Sequence, residues 1–154
     1  MTFRNSLLVV FCIGFVLFCV QPSPAQPIAQ VSDATCTAAG QNVGCTGAGT
    51  HNCERTTFSI QSTLTVTLRA SLTNCTPVDC HCGAEAYIYV ANTTQLVACV
   101  STSCTTAQCP ARSQQVQLQA GNYDLYACKI DCDGDGCDDC STDCHALATV
   151  DAFP

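Results

Sequence analysis

The stretch Ile130–His145, IDCDGDGCDDCSTDCH, sets six aspartates and four cysteines into sixteen residues. Carboxylates at alternate positions and thiols at short spacing suit three sites: a calcium loop, a zinc centre or a disulfide knot. Asp131, Asp133 and Asp135 alternate, Gly136 follows, and Asp139 falls at loop position nine. That reproduces the first half of a calcium loop, where three oxygens converge on the ion and glycine permits the sharp turn. The second half departs from it. Position twelve, where a bidentate carboxylate belongs, is Thr142, and Asp143 comes one residue late. No flanking helices are predicted. Two readings follow. In one, Asp131, Asp133, Asp135 and Asp139 hold calcium with weak, extracellular-range affinity, the one cofactor the sequence suggests. In the other, a solvated acidic loop is pinned by disulfides.

The thiols of the same stretch, Cys132, Cys137, Cys140 and Cys144, run into His145 with usable zinc spacing, as Cys80 and Cys82 do around His81. In a reducing cytosol zinc would be favoured; in an exported chain with an even cysteine count, disulfides are. Catalytic patterns are missing. There is no G-x-S-x-G and no H-E-x-x-H, and Glu54 and Glu85 form no recognisable acid–base pair. His51, His81 and His145 have no identifying neighbours. We therefore expect a protein that is not an enzyme. Asn74-Cys75-Thr76 and Asn92-Thr93-Thr94 fit the N-glycosylation acceptor, making Asn74 and Asn92 candidate glycan sites.

Export is read from the beginning of the chain. Arg4 precedes an unbroken apolar run over 6–20, and QPSPA follows with Ser23 and Ala25 at the −3 and −1 positions of a cleavage site. This is the order of a secretory signal, with cleavage expected after Ala25. The run is too short for an anchor, which needs about 20 apolar residues, so no membrane span is expected after cleavage. Cleavage would remove Cys12 and Cys19 and leave fourteen cysteines: Cys36, Cys45, Cys53, Cys75, Cys80, Cys82, Cys99, Cys104, Cys109, Cys128, Cys132, Cys137, Cys140 and Cys144. An even number in an oxidising compartment is expected to pair completely, in a connectivity the sequence does not reveal.

The same cleavage leaves four basic residues (Arg55, Arg69, Arg112 and Lys129) against twelve acidic ones, eight of them between Asp124 and Asp151. Such a surface repels phosphate backbones, so nucleic acid is not an expected partner. The mature chain has no Trp, and its apolar residues are mostly Ala, Val, Leu and Ile. Small side chains bury little area each, and cross-links would make up the stability.

The elements that would position these residues alternate with period two. From Phe58, the apolar residues Phe58, Ile60, Leu64, Val66, Leu68, Ala70 and Leu72 fall on even numbers, with Thr, Ser and Arg between them. That is one buried and one wet strand face, with a bend at Gln61-Ser62-Thr63. AEAYIYVA (84–91) sets Ala84, Ala86, Ile88 and Val90 on one face, and Glu85, Tyr87 and Tyr89 on the other. NTT (92–94) is a turn into QLVACVS (95–101). QQVQLQA (114–120) and YDLYACKI (123–130) read as a hairpin about Gly121-Asn122, and HALATVDAF (145–153) as a final strand. No helical period is found. Several short antiparallel strands argue for a small disulfide-rich β-sandwich, jelly-roll-like, preceded by an irregular Cys/Gly/Thr-rich region. The expected organisation is a leader (1–25), an arm and pinned loop (26–55), and a sandwich domain (56–154) with an acidic loop (131–144).

The run FSIQSTLTVTL, AEAYIYV, QQVQLQAGNYDLYAC and ALATV, from Phe58 to Phe153, resembles the small jelly-roll domains of the pre-peptidase C-terminal type. Val116, Leu118, Ala120, Gly121 and Tyr123 carry the likeness best. The resemblance implies a secreted accessory or binding role and no catalytic residues; fourteen cysteines are far more than that family carries.

Two functions from different classes are expected. The first is a non-enzymatic structural protein, a subunit of an extracellular fibre, surface layer or matrix, self-associating by donating a strand from residues 26–35. The alternative is a monomeric extracellular module that binds a glycan or protein, with or without calcium. For it, Tyr87 and Tyr89 would form the stacking surface.

Overall fold

The computed structural model describes residues 26–37, Cys45, 53–75, 82–102, 110–131 and 143–154. The expected leader lies outside them. Among the described residues there are nine strands: β1 (Ala29–Asp33), β2 (Cys36–Thr37), β3 (Glu54–Ile60), β4 (Leu64–Thr73), β5 (Cys82–Val90), β6 (Leu96–Ser101), β7 (Arg112–Leu118), β8 (Gly121–Asp131) and β9 (His145–Ala152). They form a small disulfide-rich β-sandwich. One sheet runs β1-β9-β4-β7. In the other, β8 has β5 and then β6 on one side, and β3 followed by β2 along the other. Every pairing is antiparallel except the two-residue contact of β2 with β8.

The alternation explains the layers. Val66, Leu68 and Ala70 of β4 and Ala146, Ala148 and Val150 of β9 face Ala84, Ala86 and Ile88 of β5 and Leu125 and Ala127 of β8, and all eleven are fully buried. Six of them are alanine, so each contributes little apolar area. Phe58 and Ile60 enter the same core from the other sheet. The bend at Gln61-Ser62 keeps the even positions inward while the chain crosses between sheets, so one alternating run serves both layers. Phe58 lies opposite Tyr123 and stacks on it with ring centroids 5.6 Å apart.

Three sequence expectations need correction. Gly121-Asn122 is no hairpin turn. It opens β8, which pairs with β3 and β5, whereas β7 pairs with β4 in the opposite sheet. Alternation reports which side chains face inward, and inward-facing residues from opposite sheets look alike in sequence. Nor is the N-terminal arm free to be donated. β1 pairs with β9 of its own chain from Ala29↔Val150 to Asp33↔Ala146, with Ile28 and Val31 packed on the core. The third concerns the outer face of β5, expected to offer Tyr87 and Tyr89 as a stacking surface: Glu85 and Tyr87 there are only 4 % and 3 % exposed.

β1 also ties the two sheets together. Asp33, fully buried, accepts backbone N–H bonds from Thr35 (2.8 Å) and from Lys129 of β8 (3.1 Å). Burial pushes its carboxyl above the ordinary value, and the two N–H bonds pull back against that shift. Cross-links reinforce the sandwich. Cys53–Cys128 joins the start of β3 to β8, Cys75–Cys144 joins the ends of β4 and β9, and Cys45–Cys99 fastens Cys45 to β6. Their partners lie 75, 69 and 54 residues apart in sequence. Closing loops of that size restricts the unfolded chain by up to about 4 kcal/mol each. Cys36 and Cys82 are disulfide-bonded as well. The remaining cysteines expected to pair, Cys80, Cys104, Cys109, Cys132, Cys137 and Cys140, lie outside the described residues.

Candidate functional site

Zinc through the acidic stretch loses one of its ligands, because Cys144 is bonded to Cys75 and His145 opens β9 opposite Thr73. Asp131 ends β8 opposite Cys82, while Asp133, Asp135 and Asp139 lie outside the described residues, as does His81. Among the described residues no group of three or more His, Cys, Asp or Glu could hold a metal. Asn74 and Asn92 are both exposed and both at positive φ, 60° and 59°. Asn92 occupies the turn between β5 and β6, as expected, and Asn74 follows the end of β4.

The side chains that come together lie on the outer face of the second sheet. In β8, Tyr123, Leu125 and Ala127 point into the core, so Asp124, Tyr126 and Cys128 point out. Register then builds rows across the strands. Arg55, Tyr126, Tyr87 and Cys99 form one; Thr57, Asp124 and Tyr89 form the next; Cys128, Glu85 and Ser101 form a third. Neighbours in a row are about 4.8 Å apart.

Tyr87 and Tyr89 share this face, as expected, with ring centroids 6.3 Å apart. They do not make the stacking surface, however. Tyr87 packs with Cys99, which the Cys45–Cys99 bridge ties down beside it, and its hydroxyl donates to Glu85 Oε2. The Cys45 N–H donates to Glu85 Oε1 (3.4 Å). Burial first, and then the bond to Glu85, push the Tyr87 phenol far above its ordinary value. Tyr126 takes Tyr87's place. It meets Tyr89 edge to face, with centroids 5.7 Å apart and planes at 80°, the arrangement that opposes ring edge to ring face. Both rings are half-buried. Burial, and then proximity to Tyr126, raise the Tyr89 phenol.

Beside the pair stands Arg55. Its side chain is 54 % exposed, and Nη1 lies 3.8 Å from Asp124 Oδ2. A hydrogen bond to Tyr126, reinforced by Asp124, holds the guanidinium above its ordinary value. Asp124 is buried and already engaged: Oδ1 accepts the Thr57 hydroxyl (2.8 Å) and Oδ2 the Asn92 N–H (3.3 Å). It anchors the β5–β6 turn and Arg55 rather than facing solvent.

The face therefore offers a half-buried aromatic corner, an exposed cation and two carboxylates that are buried and hydrogen-bonded. Of this set, sequence reasoning placed Glu85 and Tyr89 on one face. Tyr126, Asp124 and Arg55 carried a usable signal: each has the outward parity of its strand. The pairing of β8 with both β3 and β5, which joins them to Tyr89, had none.

No protein-family model matches the chain, and no curated protein matches it. Among solved structures, the chain is similar to a carbohydrate binding module of Cellvibrio mixtus lichenase 5A in complex with cellotriose. The match has 12 % sequence identity, covers 84 % of this chain and 100 % of that one, and has a TM-score of 0.43.

Proposed function

We propose that this protein is a non-catalytic extracellular module that binds a glycan on the outer face of the β3-β8-β5-β6 sheet. One observation carries the reading: Tyr89 and Tyr126 form a half-buried aromatic corner beside the exposed Arg55. The C–H face of a sugar ring packs on a phenol ring, and its hydroxyls bond to the phenol oxygens and the guanidinium. Tyrosine suits this because it presents apolar area and a polar tip together. The disulfides fit an oxidising compartment. The state of the two carboxylates supports binding rather than catalysis, since Glu85 and Asp124 are each 4 % exposed and hold structural hydrogen bonds. A general acid or base must reach its substrate. The assembly reading had a donated arm as its route, and β1 pairs instead with β9 of its own chain.

The test is binding of the purified mature protein to a panel of soluble and insoluble polysaccharides, by co-sedimentation and calorimetry. With no Trp and four Tyr in the chain, tyrosine fluorescence reports occupancy directly. Tyr89→Ala and Tyr126→Ala should each weaken binding about tenfold or more while the protein stays folded. A folded wild-type protein that binds no polysaccharide, or variants that bind as tightly as wild type, would overturn the reading.

A further inference from the structure

Resting on that reading, we propose that the glycan is acidic, a uronic-acid polymer whose carboxylate is received by Arg55. The argument concerns which hydrogen-bonding groups the face still has to offer. A neutral sugar presents hydroxyls, each both donor and acceptor, and a site for it supplies exposed groups of both kinds. Here both carboxylates of the face are buried and engaged. Glu85 takes the Tyr87 hydroxyl and the Cys45 N–H, and Asp124 takes the Thr57 hydroxyl and the Asn92 N–H. At the edge of the face, Asn122 Oδ1 takes the Ser59 hydroxyl (2.7 Å). What remains exposed is the guanidinium of Arg55, which only donates, beside two half-buried phenols that both donate and accept. An anionic acceptor suits that cationic fork best, and a carboxylate is an anionic acceptor that an acidic sugar carries.

Charge points the same way. Among the described residues Arg55 is the one basic side chain on this face. Arg69 and Arg112 belong to the other sheet, and Lys129 is 1 % exposed. Arg55 is not spent on Asp124. The pair is 3.8 Å apart, beyond hydrogen-bond length, and the two side chains are 54 % and 5 % exposed, so the guanidinium extends outward past its counter-ion. Its planar fork matches a carboxylate's two oxygens. Arg55 lies opposite Tyr126 in register, so a ring packed on Tyr126 and Tyr89 would set its carboxylate within reach of the guanidinium. The net negative charge of the chain opposes long-range attraction of such a polymer, but at physiological salt that field is screened beyond about 8 Å, and the fork acts at contact.

The experiment uses the full mature protein with three probes: oligogalacturonate, oligoguluronate and hyaluronan fragments. Each is paired with its carboxyl-reduced, neutral counterpart and measured by calorimetry in 0.15 M NaCl at about pH 7, a condition chosen near physiological ionic strength. At least one acid should bind about tenfold or more tightly than its reduced form. Arg55→Gln should bring the acid down to the neutral level, and Arg55→Lys should fall between, because it keeps the charge and loses the fork. Circular dichroism and thermal unfolding confirm that both variants fold. If reduced and acidic forms bind equally, or Arg55→Gln binds the acid undiminished, the acid-specific inference falls and the glycan reading stands. If the folded wild-type protein binds neither form while neutral polysaccharides bind elsewhere in the panel, the inference again falls alone. Binding to no glycan at all overturns both.

Discussion

Replacing Tyr87 by Phe removes one oxygen from the most enclosed part of the candidate face and leaves the ring in place. In the native protein that hydroxyl donates to Glu85 Oε2, and both side chains are almost fully buried. A hydrogen bond to a charged acceptor contributes about 1.5–3 kcal/mol. Tyr87→Phe should therefore lower stability at neutral pH by about 2 kcal/mol, a fall in Tm of about 5–10 °C for a domain of this size. Its pH dependence runs in a defined direction. In the unfolded chain the phenol ionises near pH 10. In the folded protein burial, and then the bond to Glu85, hold it far higher. The stability this group contributes is thus complete below about pH 10 and is lost as pH rises beyond it, by about 1.4 kcal/mol per pH unit. Tyr87→Phe should remove that alkaline loss. Urea unfolding without reductant, followed by circular dichroism at neutral and alkaline pH, measures both effects. Absorbance near 295 nm gives an independent check, because the chain contains four Tyr and no Trp. Tyr87 should stay protonated until the protein unfolds. All four titrating together near pH 10 in the folded state, or a variant within about 0.5 kcal/mol of wild type, would refute the reasoning.

Asp33 carries a related effect on the acid side. Its carboxyl is raised by burial, so the stability it contributes is complete below the unfolded value of about 4 and is lost as pH rises through the folded value. Asp33→Asn should flatten that part of the stability–pH curve. Parallel curves for variant and wild type would show that Asp33 does not titrate as argued. Deleting residues 26–35 removes β1 and should destabilise the isolated monomer by about 3 kcal/mol, from the burial of Ile28, Ala29 and Val31. A truncated protein as stable as the full mature chain would restore the picture of a dispensable arm.

The sequence alone determined that the chain is built of strands, that it is cross-linked, and which side of each strand faces in. The even-numbered run from Phe58 to Leu72 shows why: a side-chain period of two is a local property, and one buried face imposes it whatever the partner strand. The same locality explains the missed turn at Gly121-Asn122. Two strands whose inward residues match across a Gly-Asn pair, as Leu118 and Leu125 do, look identical whether they pair with each other or cross to opposite sheets. The cysteine count implied pairing, but choosing Cys53–Cys128 requires knowing that β3 lies against β8, with Glu54 opposite Ala127.

The candidate site depends on the same long-range pairings. Arg55 and Tyr126 are distant in sequence and adjacent in register, and Tyr89 joins them only because β8 is shared between β3 and β5. Tertiary structure also decided which tyrosines are available. Tyr87 and Tyr89 are equivalent by parity, yet Tyr87 sits beside the Cys45–Cys99 bridge and bonds to Glu85, while Tyr89 stays half-buried against Tyr126. Strand periodicity gives a side chain its direction, whereas its exposure depends on what distant segment packs over it.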